Sequence, residues 1–297
     1  MEQGRSSQTA TLCAMLRAAH LIRDSKPHVL SDELAAPLAG FNDEASLNGA
    51  LDSFAKEVAH ISSEATAQAW LEIGRLSIAM RSRYAEDALT KALERGVSQY
   101  VVLGAGFDSF AYRRRDLADR VRVFEVDHPD TQEKKRARLA QIRVPSAVNV
   151  TYVSVDFEKQ PSIITPLQAM GYRHDQPALF SWLGVVWYLS DAAIERTFRE
   201  IAATAPGSEI VLDYLVPESM IDERCRQIVQ IAERTAAVRG EQGGRSFEPA
   251  RMVEMLRRAG FGYVQDLGAR ELNVRYLSSR SDGLQIPEMM RLVSAHV

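Results

Sequence analysis

The chain has 297 residues, of which 46% are hydrophobic and 25% charged, a composition typical of globular proteins rather than disordered or fibrous ones. A net charge of −3 gives no reason to expect a nucleic acid or a membrane surface as partner. Two cysteines, Cys13 and Cys225, are too few for a disulfide framework or a cysteine-rich metal site, and the N-terminal segment lacks a signal-peptide core. We therefore expect a cytoplasmic protein without a metal or a membrane span.

Residues 1–95 are predicted to form a helical N-terminal region. Apolar residues recur at helical spacing over 9–22, 47–58 and 64–93, and no segment shows convincing strand alternation. Gly96 is expected to end the last of these helices, because glycine commonly follows a helix.

Residues 96–297 change to alternating strands and helices, which predicts an α/β domain with a mostly parallel sheet covered on both faces. A long amphipathic helix is predicted over 219–239, and the glycine-rich segment 240–246 is expected to be the most mobile loop. The predicted strands are 99–104, 121–127, 149–155, 178–184, 209–215, 263–267 and 291–297, with further helices near 107–116, 130–142, 161–170, 190–204 and 249–259.

A glycine turn follows the first predicted strand. Gly104 and Gly106 would let the backbone approach a ligand closely. The full dinucleotide fingerprint needs a third glycine or alanine where this chain has Ser109, and Asp108 would repel a pyrophosphate. The turn therefore favours a nucleotide-like cofactor without a pyrophosphate, the alternative being an ordinary strand–helix turn.

Acidic residues end the next two predicted strands. Asp127 lies 21 residues after Gly106, where a carboxylate can accept hydrogen bonds from ribose hydroxyls in both NAD and S-adenosylmethionine sites. Asp156, followed by Phe157, could bond the adenine amino group while the ring packs against adenine. Two acidic strand ends in succession favour S-adenosylmethionine, although either aspartate could instead cap a helix.

The amino acid carboxylate of S-adenosylmethionine requires a cation. Arg81 and Arg83 lie on the helix that leads into the first strand, and Arg17 lies on the first helix. Arginine suits bidentate recognition of a carboxylate. We predict a cofactor contact from these arginines, with a solvated surface charge as the alternative for each.

Several segments together resemble the leucine carboxyl methyltransferase family, and more narrowly its bacterial branch of S-adenosylmethionine-dependent methyltransferases. The resemblance covers most of the chain. It is carried by residues 103–109, 124–129, 155–158 and 180–185, and is extended by 7–10, 17–20, 81–83, 206–208 and 281–284.

This resemblance implies a class I (Rossmann-like) seven-stranded sheet, with residues 1–95 as a helical N-terminal cap and residues from about 216 to 248 as a helical lid inserted after the fifth strand. The glycines within 240–244 are expected to hinge this lid. It also implies cofactor contacts at Arg81 or Arg83, Gly104, Asp127, and Asp156 with Phe157. The eukaryotic branch, which methylates a protein's C-terminal leucine, has a glutamate after the fourth strand, where this chain has residues 182–184 (Trp-Leu-Gly). Bacterial relatives include enzymes that methylate carboxyl or hydroxyl groups of polyketides and other natural products.

The leading hypothesis is thus a small-molecule O-methyltransferase. The sequence does not single out a catalytic base. The alternatives are a dehydrogenase, a protein C-terminal carboxyl methyltransferase, and a protein that binds S-adenosylmethionine for a non-methylating step such as cyclisation. The oligomeric state is not predicted. Acceptor contacts are expected from Ser181, Trp182, Tyr188 and Tyr214, and Trp187 is a further candidate wall of the pocket. The alternative for the aromatic residues is that they belong to the apolar core.

Overall fold

The N-terminal part of the chain is helical in the computed structural model, which describes residues 6–238 and 244–297, with side chains over 8–231 and 244–297. Side-chain caps start two of its helices, since Asp43 accepts the Ser46 N–H at 2.7 Å and Ser63 accepts the Thr66 N–H at 3.1 Å. Gly96 (φ +87°) follows the last helix, which confirms the predicted stop. The helices are α1 (Ser6–Arg23), α2 (Ala35–Ala39), α3 (Glu44–His60) and α4 (Glu64–Glu94).

Seven strands form one sheet within the described residues, as predicted. Its order is β3-β2-β1-β4-β5-β7-β6, and β7 runs antiparallel to both of its neighbours while the other pairs are parallel. The strands are β1 (Gln99–Leu103), β2 (Arg122–Asp127), β3 (Val150–Ser154), β4 (Ala178–Trp182), β5 (Glu209–Leu215), β6 (Tyr263–Leu267) and β7 (Met290–His296).

Helices cover both faces of the sheet. Val102 and Val123 face one apolar core, shared with the N-terminal helices, whereas Val101 and Phe124 face a second core on the other side. Alternate side chains of a strand point to opposite faces, so each central strand feeds both cores. The remaining helices are α5 (Phe110–Arg113), α6 (Pro129–Gln141), α7 (Ile164–Ala169), α8 (Asp191–Ala202), α9 (Glu223–Val238), α10 (Pro249–Ala259) and α11 (Ala269–Leu277).

The structure differs from the predicted elements at a few places. The helix expected over 107–116 is reduced to α5 and a short 3₁₀ turn, and neither α2 nor α11 was predicted. Pro37 is compatible with α2 because it lies in the first turn, where its missing N–H has no intrahelical partner. Most of the predicted hinge at 240–244 lies outside the described residues. Among the described helices, none is long and apolar enough to cross a membrane.

Candidate active site

The carboxyl ends of β1 and β4 lie side by side at the centre of the sheet, with Leu103 paired to Trp182. The strand order reverses between them, because β2 and β3 extend to one side and β5 to the other. In open α/β sheets a ligand crevice forms at such a point. Its edges here are residues 104–109, the glycine turn, and residues 183–185 after β4.

The glycine turn needs its glycines for both conformation and space. Gly104 (φ +68°) and Gly106 (φ +50°) adopt the left-handed region that disfavours other residues. A side chain at Gly104 would also overlap Val185 Cγ2. The N–H groups of Gly104 and Ala105 donate to the Val126 carbonyl at 2.8 and 3.1 Å, which anchors the turn to β2.

Gly104→Ala is expected to lower the free energy of unfolding by at least about 1–2 kcal/mol, the cost of a left-handed alanine, with the clash against Val185 in addition. Urea unfolding measures this. Gly49→Ala in α3 is the matched control, since nothing lies within 4 Å of its added methyl group and alanine favours a helix. A Gly104→Ala protein as stable as the wild type would contradict the prediction.

Asp127 lies at the end of β2, and each of its carboxylate oxygens accepts a hydrogen bond from a backbone N–H group. Its Oδ2 accepts the Gly106 N–H at 2.5 Å and its Oδ1 accepts the His128 N–H at 2.6 Å. Burial raises the pKa of Asp127, while these two hydrogen bonds favour its ionised form. An ionised carboxylate offers about four acceptor positions, so about two remain for a ligand with paired hydroxyl groups.

Asp156 and Phe157 follow β3, the next strand outward. Asp156 pairs with Lys159 at 3.3 Å and accepts the Glu158 N–H at 3.1 Å; these contacts outweigh desolvation and hold its pKa below the usual value. Phe157 is buried, with its ring centre 5.7 Å from that of Trp182. The ring therefore packs into the core beside the strand ends.

Arg81 extends from α4 to the turn after β4. Its Nη1 donates to Asp213 Oδ2 at 3.1 Å and its Nη2 to Cys13 Sγ at 3.5 Å. Asp213, on β5, also accepts the Gly184 N–H at 2.6 Å. Burial raises the pKa of Asp213, and the Arg81 charge opposes that rise. Gly184 (φ +74°) makes room for the guanidinium, because an added Cβ would lie 2.6 Å from Nη2.

The other two predicted arginines lie apart from Arg81. Arg83 is two positions along the same helix, about 200° around its axis, and pairs with Asp87 at 2.7 Å on a half-exposed surface. Arg17 is buried against the glycine turn, where it pairs with Asp32 at 2.8 Å. The structure therefore brings Arg81 to the crevice, holds Arg17 against the glycine turn through the Phe107 carbonyl, and leaves Arg83 outside the site.

A buried ion pair beneath Asp127 was missed by sequence reasoning. Lys135 Nζ lies 2.5 Å from Glu125 Oε2, with both side chains almost fully buried, and 5.5 Å from the centre of the Tyr112 ring. Burial raises the pKa of Glu125 to about 7, although Lys135 opposes the rise. A glutamate inside an apolar strand was the available signal, because buried charges need partners.

Glu125 should make the protein less stable as the pH rises from 5 to 8. A raised folded pKa contributes stability below the unfolded value of about 4.5, and this is lost as pH passes through about 7. Urea unfolding of the wild type should show a loss of roughly 1–3 kcal/mol that Glu125→Gln does not show. Glu254→Gln, at an exposed pair with Arg258, is the control. Equal pH dependence in wild type and Glu125→Gln would contradict this assignment.

The family model for leucine carboxyl methyltransferase matches residues 10–202. The chain belongs to this family. A Bacillus subtilis protein named "putative S-adenosyl-L-methionine-dependent methyltransferase YktD" is 27% identical over 99% of each chain. A similarly named protein of Mycolicibacterium paratuberculosis is 34% identical over 69% of this chain and 65% of its own. The protein is thus a methyltransferase that uses S-adenosylmethionine, as the resemblance implied.

Solved structures show the same fold. The structure of a protein described as a putative methyltransferase from Thermobifida fusca aligns with a TM-score of 0.58. The alignment has 19% sequence identity and covers 88% of this chain and 91% of that protein. A DUF574 family protein from Streptomyces avermitilis aligns with a TM-score of 0.55 at 16% identity over 95% and 96%. The class I methyltransferase fold predicted from the sequence is confirmed.

The crevice of this methyltransferase fits S-adenosylmethionine chemically. Asp127 has acceptor capacity for the ribose hydroxyls, and Asp156 with Phe157 stands at the neighbouring strand end, where adenine was predicted. Arg81 uses two of its five N–H donors on Asp213 and Cys13, which leaves donors for the cofactor carboxylate. The contact of each residue with the cofactor stays a prediction.

The predicted acceptor residues of the methyltransferase do not share one surface. Ser181 faces the same side of the sheet as the N-terminal helices, whereas Trp182 and Tyr214 are fully buried in the core on the other side. The Tyr214 hydroxyl donates to Asp266 at 2.7 Å. Tyr188, 40% exposed, reaches the surface beside Trp187. Their roles toward an acceptor stay predictions. No cluster of metal-binding side chains occurs in the described part of the chain.

Proposed function

We propose that this methyltransferase methylates a carboxylate or hydroxyl oxygen of a small organic molecule, including acids and phenols of polyketide type. The observation that carries the proposal is that the described ionisable groups of the crevice are engaged. Asp127 binds two N–H groups, Asp213 binds Arg81, and the His128 ring accepts the Asp130 N–H at 3.3 Å. A carboxylate is already ionised at neutral pH and needs no base, so this observation favours a carboxylate over a hydroxyl acceptor. The family's description, leucine carboxyl methyltransferase, supports the same acceptor class.

The chain's own contribution to the reaction is alignment. When bound, S-adenosylmethionine would supply a sulfonium methyl group. An ionised acceptor oxygen would attack the methyl carbon in line, so that the C–O bond forms as the C–S bond breaks and its electron pair goes to sulfur. The glycine turn and Asp127 hold the adenosine, and Arg81 fixes the amino acid carboxylate. These contacts convert an encounter in solution into a reaction within one complex, which lowers the barrier substantially.

The regions on either side of the crevice are proposed to cover it, residues 1–95 as a cap and 216–248 as a lid. Ile228 of α9 packs against Ala69 and Ile73 of α4, which joins the lid to the cap. Tyr188 would line the acceptor side, while the buried side chains of Ser181, Trp182 and Tyr214 would support it from within the fold. The free cysteines Cys13 and Cys225 are consistent with a reducing cytoplasm.

The test is incubation of the purified chain with methyl-labelled S-adenosylmethionine and a panel of organic acids, phenols and peptides ending in leucine. We expect label in small-molecule products, as base-labile esters or stable ethers, and none with Asp127→Ala. Labelling of the peptides alone would overturn the small-molecule proposal in favour of a protein carboxyl acceptor. Tight cofactor binding without transfer to any member would favour a non-methylating reaction such as cyclisation.

A further inference from the structure

A buried carboxylate lies where the N-terminal helices meet the glycine turn. Asp32, between α1 and α2, is 1% exposed. Its Oδ2 accepts the Arg17 Nε–H at 2.8 Å and the Ser109 hydroxyl at 2.6 Å. Its Oδ1 accepts the Leu34 N–H at 3.2 Å and lies 3.4 Å from Arg113 Nε. The four acceptor positions of this carboxylate are therefore occupied by protein groups.

Two of these partners connect Asp32 to the glycine turn, Arg17 by binding its backbone and Ser109 as the last residue of the turn. Arg17 Nη2 donates to the Phe107 carbonyl at 2.5 Å, while Ser109, held by Asp32, also accepts the Arg113 Nε–H at 2.9 Å. Arg113 continues the network to Glu86 on α4. The network thus connects α1, α4 and α5 with the turn.

The opposite side of the same turn is bound by Asp127, through the Gly106 N–H. The turn is consequently held by a carboxylate on each side, one at the crevice and one within the N-terminal helices. Desolvation would raise the pKa of Asp32, but Arg17, Arg113 and Ser109 hold it below the usual value, so the carboxylate is ionised at neutral pH.

We propose that Asp32 is a positioning residue for the cofactor turn. Through Arg17 and Ser109 it fixes residues 107–109, and with them the backbone of Gly104 and Gly106, in the conformation that receives the cofactor. In this role Arg17 holds the backbone of the turn by donating a hydrogen bond to the Phe107 carbonyl. This inference rests on the proposal that the glycine turn holds S-adenosylmethionine; Asp32 itself does not contact the ligand.

Loss of the Asp32 charge should weaken cofactor binding without removing any cofactor contact. Asp32→Asn leaves Arg17 and Arg113 without their shared anion and offers one acceptor oxygen in place of two. A looser turn must then be ordered when the ligand binds, which reduces affinity. We expect about tenfold weaker binding of S-adenosylhomocysteine, and a smaller loss for Ser109→Ala, which removes one hydroxyl and no charge.

The experiment combines calorimetric titration of S-adenosylhomocysteine with amide hydrogen exchange over residues 104–109. Asp52→Asn is the matched control, because Asp52 pairs with another α1 arginine, Arg23, on an exposed surface. Leu256→Ala, in the core on the far face of the sheet, controls for general destabilisation. Asp32→Asn and Ser109→Ala should accelerate exchange in the turn and weaken binding, and the two controls should do neither.

Unchanged exchange over 104–109 in both Asp32→Asn and Ser109→Ala would overturn the positioning role. Faster exchange with unchanged affinity would also overturn it, because the turn would then not govern binding. A wild-type protein that binds no S-adenosylhomocysteine would instead contradict the proposed cofactor site. Hydrogen exchange in that case still decides whether Asp32 holds the turn.

Discussion

Asp127→Ala is expected to weaken S-adenosylhomocysteine binding by at least about 100-fold. The alanine removes the acceptor predicted for two ribose hydroxyls and leaves the N–H groups of Gly106 and His128 without theirs. A hydrogen bond to a charged group contributes about 1.5–3 kcal/mol, and each 1.4 kcal/mol is a factor of ten in affinity. Calorimetric titration of both proteins measures the change.

Asp116→Asn provides the control for Asp127, since Asp116 is an exposed aspartate paired only locally, with Arg114 at 2.8 Å. Its affinity should equal that of the wild type. Asp127→Asn should fall between wild type and alanine, because an amide keeps one acceptor oxygen but loses the charge. An Asp127→Ala protein that binds within threefold of the wild type would remove Asp127 from the cofactor site.

Arg81→Ala should lower the free energy of unfolding by about 3–5 kcal/mol and also weaken cofactor binding. The substitution leaves Asp213 as an uncompensated buried charge, which is the costly way to break a buried ion pair. Urea unfolding measures the stability change. Its size should shrink as the pH falls. Burial raises the pKa of Asp213, and without the Arg81 charge nothing opposes that rise as strongly, so the carboxyl takes up a proton and becomes neutral.

A double variant separates the two roles of Arg81. Replacing a buried ion pair by apolar residues of similar size is often neutral for stability, so Arg81→Met with Asp213→Leu should recover most of the stability lost in Arg81→Ala. Cofactor affinity should stay low, because the guanidinium is absent. Recovery of both properties would show that Arg81 is only structural, and Asp52→Asn, at the exposed pair with Arg23, should affect neither.

The central part of the fold could be predicted from the sequence because the β-rich runs are short, apolar and separated by helical periodicity. β1 and β4 are buried along their whole length, and their boundaries agree with the prediction within two residues. The short helices were harder to predict from the sequence. α11 carries polar residues on much of its surface, and its start at Gly268 with Glu271 is a weak local signal.

The candidate site could be predicted only in part from the sequence, for a similar reason. Spacing along the chain is enough to predict Asp127 at the end of β2, since strand ends meet at one edge of a parallel sheet. The distinction between Arg81 and Arg83 depends on which side of α4 faces the sheet, a tertiary property. Ser181 and Trp182 illustrate the period of two, because adjacent strand residues point to opposite faces.

The buried ionic groups were the least predictable part. The segment around Asp32 has the pattern of an ordinary loop, and the segment around Glu125 has the pattern of an ordinary strand. Their partners lie far along the chain or on another element. Only the packed structure brings Asp32 to Ser109. Such contacts are set by tertiary packing rather than by local pattern.

The most direct test of the central claim is calorimetric titration of the wild-type chain with S-adenosylhomocysteine and, separately, with NADH. A crevice built from the glycine turn, Asp127 and Arg81 should bind S-adenosylhomocysteine at one site per chain and give no measurable heat with NADH. Binding of NADH without binding of S-adenosylhomocysteine would contradict the account and restore the dehydrogenase alternative.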